Sequence, residues 1–149
     1  MDKLPEFELI VVGGGEFSDD EVQCFSEKSK ARIKHVGFVD EPTLNRLYNQ
    51  AHCLLYLSEY EGFGIPVAEA ISAGCPVVAF MCEAVYEVGG DALTVVSSLD
   101  PDTLQASVLK LFEPKYREKC INIGIDRSSQ FRWDKCHDQT ISVYMSLLR

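Results

Sequence analysis

The sequence predicts an α/β fold, a doubly wound and mainly parallel sheet with helices on both faces. Three observations predict it. Apolar runs of strand length recur along the chain, bounded by Gly, Pro or Asp. Between them lie segments whose apolar residues return at helical spacing. Most of the strand-like runs lack apolar/polar alternation, as expected of strands covered on both faces and joined by crossover helices.

Residues 8–12 (ELIVV) read as a buried strand, stopped by Gly13-Gly14-Gly15. Ser18 starts a helix, and Glu21 three residues on completes a capping box; Val22 and Phe25 supply its apolar face. Residues 33–38 alternate and form a second strand. Asp40 caps the next helix, Pro42 sits in its first turn, and Leu44, Leu47, Tyr48 and Ala51 share one face. Residues 53–57 (CLLYL) are the third strand. A short helix over residues 64–73 stops at Gly74, and residues 76–80 (PVVAF) and 92–96 are strands four and five. Asp100-Pro101 opens a helix with Leu104, Val108, Leu111 and Phe112 on one face. Pro114 begins the C-terminal helical region, whose last helix presents Trp133, His137, Ile141, Tyr144 and Leu148. Ligands of such sheets sit beyond the carboxyl ends of the strands, which directs attention to loops 13–17, 39–41, 58–66 and 81–91.

The 149 residues suit one domain with a core that needs no staples. Net charge is −9, which argues against a nucleic-acid partner. No apolar run approaches the roughly 20 residues that span a bilayer. The first residues are acidic and lack the pattern of a signal peptide, so a cytoplasmic location is expected. The six cysteines include no CxxC spacing, which speaks for reduced thiols and against a metal site. His35, His52 and His137 have no triad-like setting and read as structural, and Trp133 reads as a core anchor.

Gly13-Gly14-Gly15 follows a strand and precedes a helix, so it reads either as a plain tight turn or as a place where a ligand approaches the backbone. It is not the spaced GxGxxG pattern, and acids follow it. Glu61-Gly62-Phe63-Gly64-Ile65-Pro66 is more informative. It follows a buried strand and opens a helix, and its two glycines let the backbone bend and expose N–H groups. The helix N-terminus adds roughly half a positive charge, giving an anion seat without a basic side chain. Glu69 lies eight residues beyond Glu61, about two turns along, so the pair can address two parts of an extended ligand. As isolated acids, the two could equally be solvated surface groups.

The whole string, Tyr60-Glu61-Gly62-Phe63-Gly64-Ile65-Pro66-Val67-Ala68-Glu69-Ala70 followed by Ala73-Gly74-Cys75-Pro76-Val77-Val78-Ala79, closely resembles the E-x7-E signature of family 4 of the retaining glycosyltransferases. That family has the GT-B architecture, two Rossmann-like domains with the active site in the cleft between them. Residues 9–15 resemble its strand and glycine turn. Gly37-Phe38-Val39 with Leu44 and Leu47-Tyr48 resembles its base-binding loop and following helix. Val88-Gly89-Gly90-Asp91-Ala92 and Phe131-Arg132-Trp133 resemble later stretches. Nearly the whole chain is covered, all of it by the C-terminal, donor-binding domain.

The resemblance implies a nucleotide-diphosphate sugar as substrate, retaining transfer to an acceptor hydroxyl, and no metal or other cofactor. By it, Glu61 contacts hydroxyls of the transferred sugar and is the catalytic candidate. Gly62, Phe63, Gly64 and Ile65 form the loop whose N–H groups meet the sugar or diphosphate. Glu69 accepts from the ribose hydroxyls, Gly13 and Gly14 border the donor, and Val39 meets the base. These roles suit the groups, because a carboxylate accepts well from vicinal hydroxyls and a fixed dipole stabilises a departing diphosphate. Two departures are visible. The family's donor domain begins one strand and helix earlier, with an Arg and a Lys that neutralise the diphosphate, and an acceptor domain precedes that. Ala84-Val85-Tyr86-Glu87 stands where many members have Ser-x-Pro-Glu.

The expectation is therefore a donor domain, a fragment of a longer enzyme whose full-length form could touch the cytoplasmic membrane face. For the isolated chain, a binding module without catalysis is the preferred reading. An unrelated doubly wound signalling receiver is a third reading, although no Asp follows the third strand.

Overall fold

The computed structural model describes every residue except 2, 5, 26 and 149, and every described side chain except those of 27 and 28. Five strands and eight α-helices alternate along the described residues. β1 (Leu9–Val12) pairs in parallel with β2 (Ile33–Gly37). β3 (Leu54–Tyr56), β4 (Val77–Phe80) and β5 (Leu93–Val96) form a second parallel sheet in the order β3-β4-β5. The helices are α1 (Asp19–Gln23), α2 (Glu27–Lys30), α3 (Glu41–Gln50), α4 (Ile65–Ser72), α5 (Glu83–Gly89), α6 (Pro101–Lys110), α7 (Pro114–Ser128) and α8 (Trp133–Leu147).

The α/β class with parallel pairing and helices on both faces is as the sequence predicts, and β4 shows why. Val77 and Ala79 face one core with Val67, Ala70 and Ile71 of α4 and with Val85 and Val88 of α5. Val78 faces the other core, with Val96, Val108, Leu111 and Cys120. A strand with apolar partners on both sides has no use for alternation, hence the unbroken PVVAF run.

The helix starts follow their caps. Ser18 Oγ accepts from Glu21 N at 3.3 Å while Glu21 Oε2 accepts from Ser18 N at 2.8 Å. Asp40 accepts from Thr43 N at 3.0 Å, and Asp100 from Asp102 N and Thr103 N at 3.0 and 2.9 Å. The hydrogen bonds from Thr43 and Thr103 hold these two carboxyls below the ordinary carboxylate range.

The structure departs from the sequence reading in five places. The sheet lies in two hydrogen-bonded pieces, because no ladder joins β1 to β3. β2 stops at Gly37, whose φ of +64° turns the chain and leaves Phe38 exposed. Residues 83–89, within a stretch read as loop, form α5, and α2 is an added short helix. The fifth concerns α8, in which no described residue is buried. Trp133 is 86% exposed and is not the core anchor expected of it. Ile141, Tyr144, Leu147 and Leu148 of the same helix and its C-cap are likewise exposed, so among the described residues its apolar side is left uncovered.

All six cysteines are free thiols. Burial pushes the Cys53 thiol up to about 12 and that of Cys75 up to about 11, which makes both poor nucleophiles. His35 Nε2 lies 2.9 Å from Gly13 O, His52 Nε2 lies 3.1 Å from Val108 O, and His137 lies beside Asp138 on the surface. No described helix is long and apolar enough to cross a membrane.

Candidate functional site

The loop from β3 to α4 carries most of the candidate residues. Gly64 is the N-cap of α4, with φ +93° and ψ +52° in the left-handed region. A Cβ there would stand 3.4 Å from Val85 Cγ2 and 3.9 Å from Tyr56 Cε1. Those are ordinary contact distances, so it is the conformation that requires glycine here. Gly64 O accepts the first helical bonds, from Val67 N at 3.0 Å and Ala68 N at 3.3 Å, and Pro66 has no N–H to give. The N–H groups of Phe63, Gly64 and Ile65 have no acceptor among the described residues. Three such donors at the start of a helix are chemically suited to an anion. Phe63, about half exposed, is braced by an edge-to-face contact with Phe131, centroids 5.7 Å apart at 88°.

Glu61 is half-buried beside Tyr56. Burial first, and then the Glu61 carboxylate, push the Tyr56 phenol up to about 12. Glu69 stands on α4, exposed, and its Oε2 accepts from the Tyr48 O–H of α3 at 3.2 Å. Burial, and then the Glu69 charge, raise the Tyr48 phenol well above its ordinary range.

The other predicted positions gather at the ends of β1 and β2. Gly13 (φ +78°) and Gly14 (φ +69°) take left-handed turns, and a Cβ placed on either would meet nothing within 4 Å, so conformation alone demands glycine there. Gly13 N donates to Gly37 O at 2.7 Å, which brings the glycine turn against the loop holding half-buried Val39. Asp40, the next residue, caps α3, and Tyr48 on α3 reaches Glu69. Val39 and Glu69 are thus linked through one helix. Among the described residues no hydrogen bond joins the Gly13–Gly14 turn to the loop from Glu61 to Ile65.

Sequence reasoning missed three contributors: Tyr48, Tyr56 and Phe131 as partners of Glu69, Glu61 and Phe63. A usable signal existed for Tyr48, since a tyrosine on an apolar helix face carries a hydroxyl that needs a partner. No Lys or Arg occurs between residues 47 and 109, so the N–H seat is the positive feature of this loop.

Between β1 and β3 lies a cavity of about 630 Å³. All of β1 and β3 line it, with Leu44 and Leu47 of α3 along one wall and Tyr48, Pro66 and Glu69 also at its boundary.

Residues 1–127 match the family described as glycosyl transferases group 1. The O-antigen chain mannosyltransferase B of Escherichia coli is 35% identical over 99% of this chain and 39% of its own length. The phosphatidyl-myo-inositol mannosyltransferase of Mycolicibacterium smegmatis is 28% identical over 95% of this chain and 37% of its own length. This chain therefore spans about two fifths of the relatives it matches. Among solved structures, sucrose-phosphate synthase from Thermosynechococcus elongatus superposes with a TM-score of 0.80 at 22% identity, covering 99% of this chain and 41% of that one. Anabaena HepE, in complex with UDP and glucose, superposes with a TM-score of 0.79 at 21% identity, covering 97% of this chain and 43% of that one. The fold is shared with these structures, and by the match over residues 1–127 the chain belongs to the glycosyl transferases group 1 family.

Proposed function

We propose that this chain is the donor-binding domain of a retaining hexosyltransferase that moves a sugar from a nucleotide-diphosphate sugar to an acceptor hydroxyl. The observation that carries the reading is the Gly64 turn, which leaves three N–H groups at the start of α4 without an acceptor among the described residues, between Glu61 and Glu69 in sequence. In this reading the N–H groups of Phe63, Gly64 and Ile65 face the sugar or diphosphate. When the bond from the anomeric carbon to the phosphate oxygen breaks, its electron pair goes to the diphosphate, and these dipoles offset the growing charge. Glu61 holds sugar hydroxyls and is the catalytic residue. Glu69 holds the ribose, Gly13 and Gly14 border the donor, and Val39 meets the base. Neither a metal nor another cofactor takes part, and the protein works in the cytoplasm, at the membrane face where its acceptor requires it.

The cavity between β1 and β3 supports a larger whole. Its size falls in the range of ligand pockets, but its long walls are strand edges. We assign it to a parallel strand from polypeptide upstream of this chain, preceded in turn by an acceptor domain. Such a strand could end beside Tyr48 and Glu69, where cations for the diphosphate are wanted.

Calorimetric titration with UDP, GDP and their sugar nucleotides tests the donor site. Mannosyl donors come first, because the 35%-identical relative is named a mannosyltransferase, and UDP is included because it is bound in HepE. Saturable binding of one base, abolished in Glu69→Ala, is the expected result. No binding of any of these at millimolar concentration overturns the reading. The rival, a nucleotide-binding module without catalysis, is favoured for the isolated chain by the absence of cations from residues 47–109. Turnover by the isolated chain would sink that rival.

A further inference from the structure

We propose that Tyr48 is a positioning residue: its hydroxyl, donating to Glu69 Oε2 at 3.2 Å, fixes the carboxylate that receives the ribose hydroxyls. The assignment of ribose to Glu69 rests on the donor-site reading above; the tether itself does not.

Glu69 is exposed on α4, and its side chain has three rotatable bonds. Left alone it would sample many rotamers, and a ligand would have to select one. Tyr48 removes that freedom from a fixed base. Its ring packs against the core cluster formed by Val67, Ala70, Ile71 and the residues around them. Its backbone belongs to α3, a ten-residue helix capped by Asp40. The ring is partly buried there, and its hydroxyl meets Glu69. A phenol and a carboxylate form a charge-assisted bond, stronger than a neutral pair. The raised Tyr48 phenol, owed first to burial and then to the Glu69 charge, agrees with that contact.

The phenol takes one acceptor site on Oε2, which leaves the other oxygen and the remaining lone pairs of Oε2 available to ribose hydroxyls. The arrangement also ties two subsites together. The loop with Val39 immediately precedes the N-terminus of α3, and Tyr48 lies near its C-terminus. The helix that follows the base loop thus holds the ribose acceptor, and a shift at one end is felt at the other.

Tyr48→Phe keeps the ring and removes the bond. Two measurements read the proposal. The first needs no ligand: the Tyr48 phenol is titrated through its ring carbon by NMR in the wild type and in Glu69→Gln. A lower titration midpoint in Glu69→Gln is expected, and an unchanged midpoint overturns the tether. The second compares UDP with 2′,3′-dideoxy-UDP by calorimetry in the wild type and in Tyr48→Phe, or the guanosine pair if that base binds. The ribose hydroxyls should favour UDP in the wild type, and Tyr48→Phe should shrink that preference by about 5- to 10-fold, the worth of one net hydrogen bond. Equal loss of affinity for both nucleotides means a merely structural role and overturns the proposal. If neither nucleotide binds the wild type, the donor-site reading falls and the positioning of Glu69 is decided by the phenol titration alone. Tyr48→Trp, which retains bulk but misplaces its donor, should behave as Tyr48→Phe does if it folds. Retention of the full ribose preference in a folded Tyr48→Trp counts against the tether.

Discussion

Gly64 concentrates the physics of the site in one residue. Its φ of +93° is a conformation that an L side chain adopts only with strain. A methyl at Gly64→Ala would stand 3.4 Å from Val85 Cγ2, an ordinary contact, so the backbone conformation sets the cost. The expected cost is about 1–2 kcal/mol from the backbone alone, visible as a lower urea midpoint at unchanged slope. Because the same turn aims the N–H groups of Phe63, Gly64 and Ile65, nucleotide affinity should fall further than stability does. Calorimetry on the folded variant checks this, and unchanged affinity would argue that the anion seat lies elsewhere. Gly64, Glu61 and Glu69 were legible in the sequence because turn, helix start and carboxylates fall in one continuous string. Tyr48 was legible only as an apolar position. Periodicity records the ring, and the partner of the hydroxyl comes from another helix.

At the scale of elements, α4 is held from behind by α7. The two approach at Gly124, where a Cβ would lie 3.1 Å from Ile71 Cβ and 3.6 Å from Ala92 Cβ. Alanine is the better helix former by roughly 1 kcal/mol, so propensity alone predicts that Gly124→Ala stabilises. Packing reverses the sign. Ile71 Cβ is bound to the backbone of α4 and cannot swing away, so the helices must part. Overpacking of this kind costs about 1–3 kcal/mol, and a net loss is expected in a urea melt. A rise in stability would show that α4 has room to move. The same neighbourhood explains why α5 was not read from the sequence. Gly89-Gly90 looks like loop punctuation, yet Val85 and Val88 are buried three apart on one helical face. Arg127 of α7 closes the end of α5, donating from Nε to Val88 O at 2.6 Å and from a terminal nitrogen to Glu87 O. A cap supplied from 39 residues away leaves no local trace. The covered strands β3, β4 and β5 were legible for the opposite reason, since burial on both faces writes itself into every residue of the run.

For the whole molecule, the break between β1 and β3 has no local mark in the sequence, because no residue in the chain marks an edge as unfilled. Only the family resemblance, with a donor domain that begins one strand earlier, pointed toward it. Hydrogen-bond alternation identifies the backbone groups concerned. Leu9 N donates to Arg32 O and Leu54 N to Pro76 O, so Leu9 and Val11 of β1 and Leu54 and Tyr56 of β3 are directed at their partners β2 and β4. The N–H groups of Ile10, Val12 and Leu55 then point away, toward the cavity between the sheets. Unpaired strand edges exchange their amide protons quickly, while laddered ones do not. In this chain, hydrogen exchange should be fast at Ile10, Val12 and Leu55 and slow at Val11, Leu54 and Tyr56. If, as proposed, polypeptide upstream of this chain seats a strand in the cavity, that strand should slow the first three to the rate of the second set. Protection of all six in this chain would mean the edges are already satisfied. Fast exchange at Ile10 and Leu55 in the full-length protein would mean that no strand enters. A strand that does enter would join both sheets into one and bring its carboxyl end to the rim where Tyr48 holds Glu69, so protection of these three amides and a gain in nucleotide affinity should arrive together.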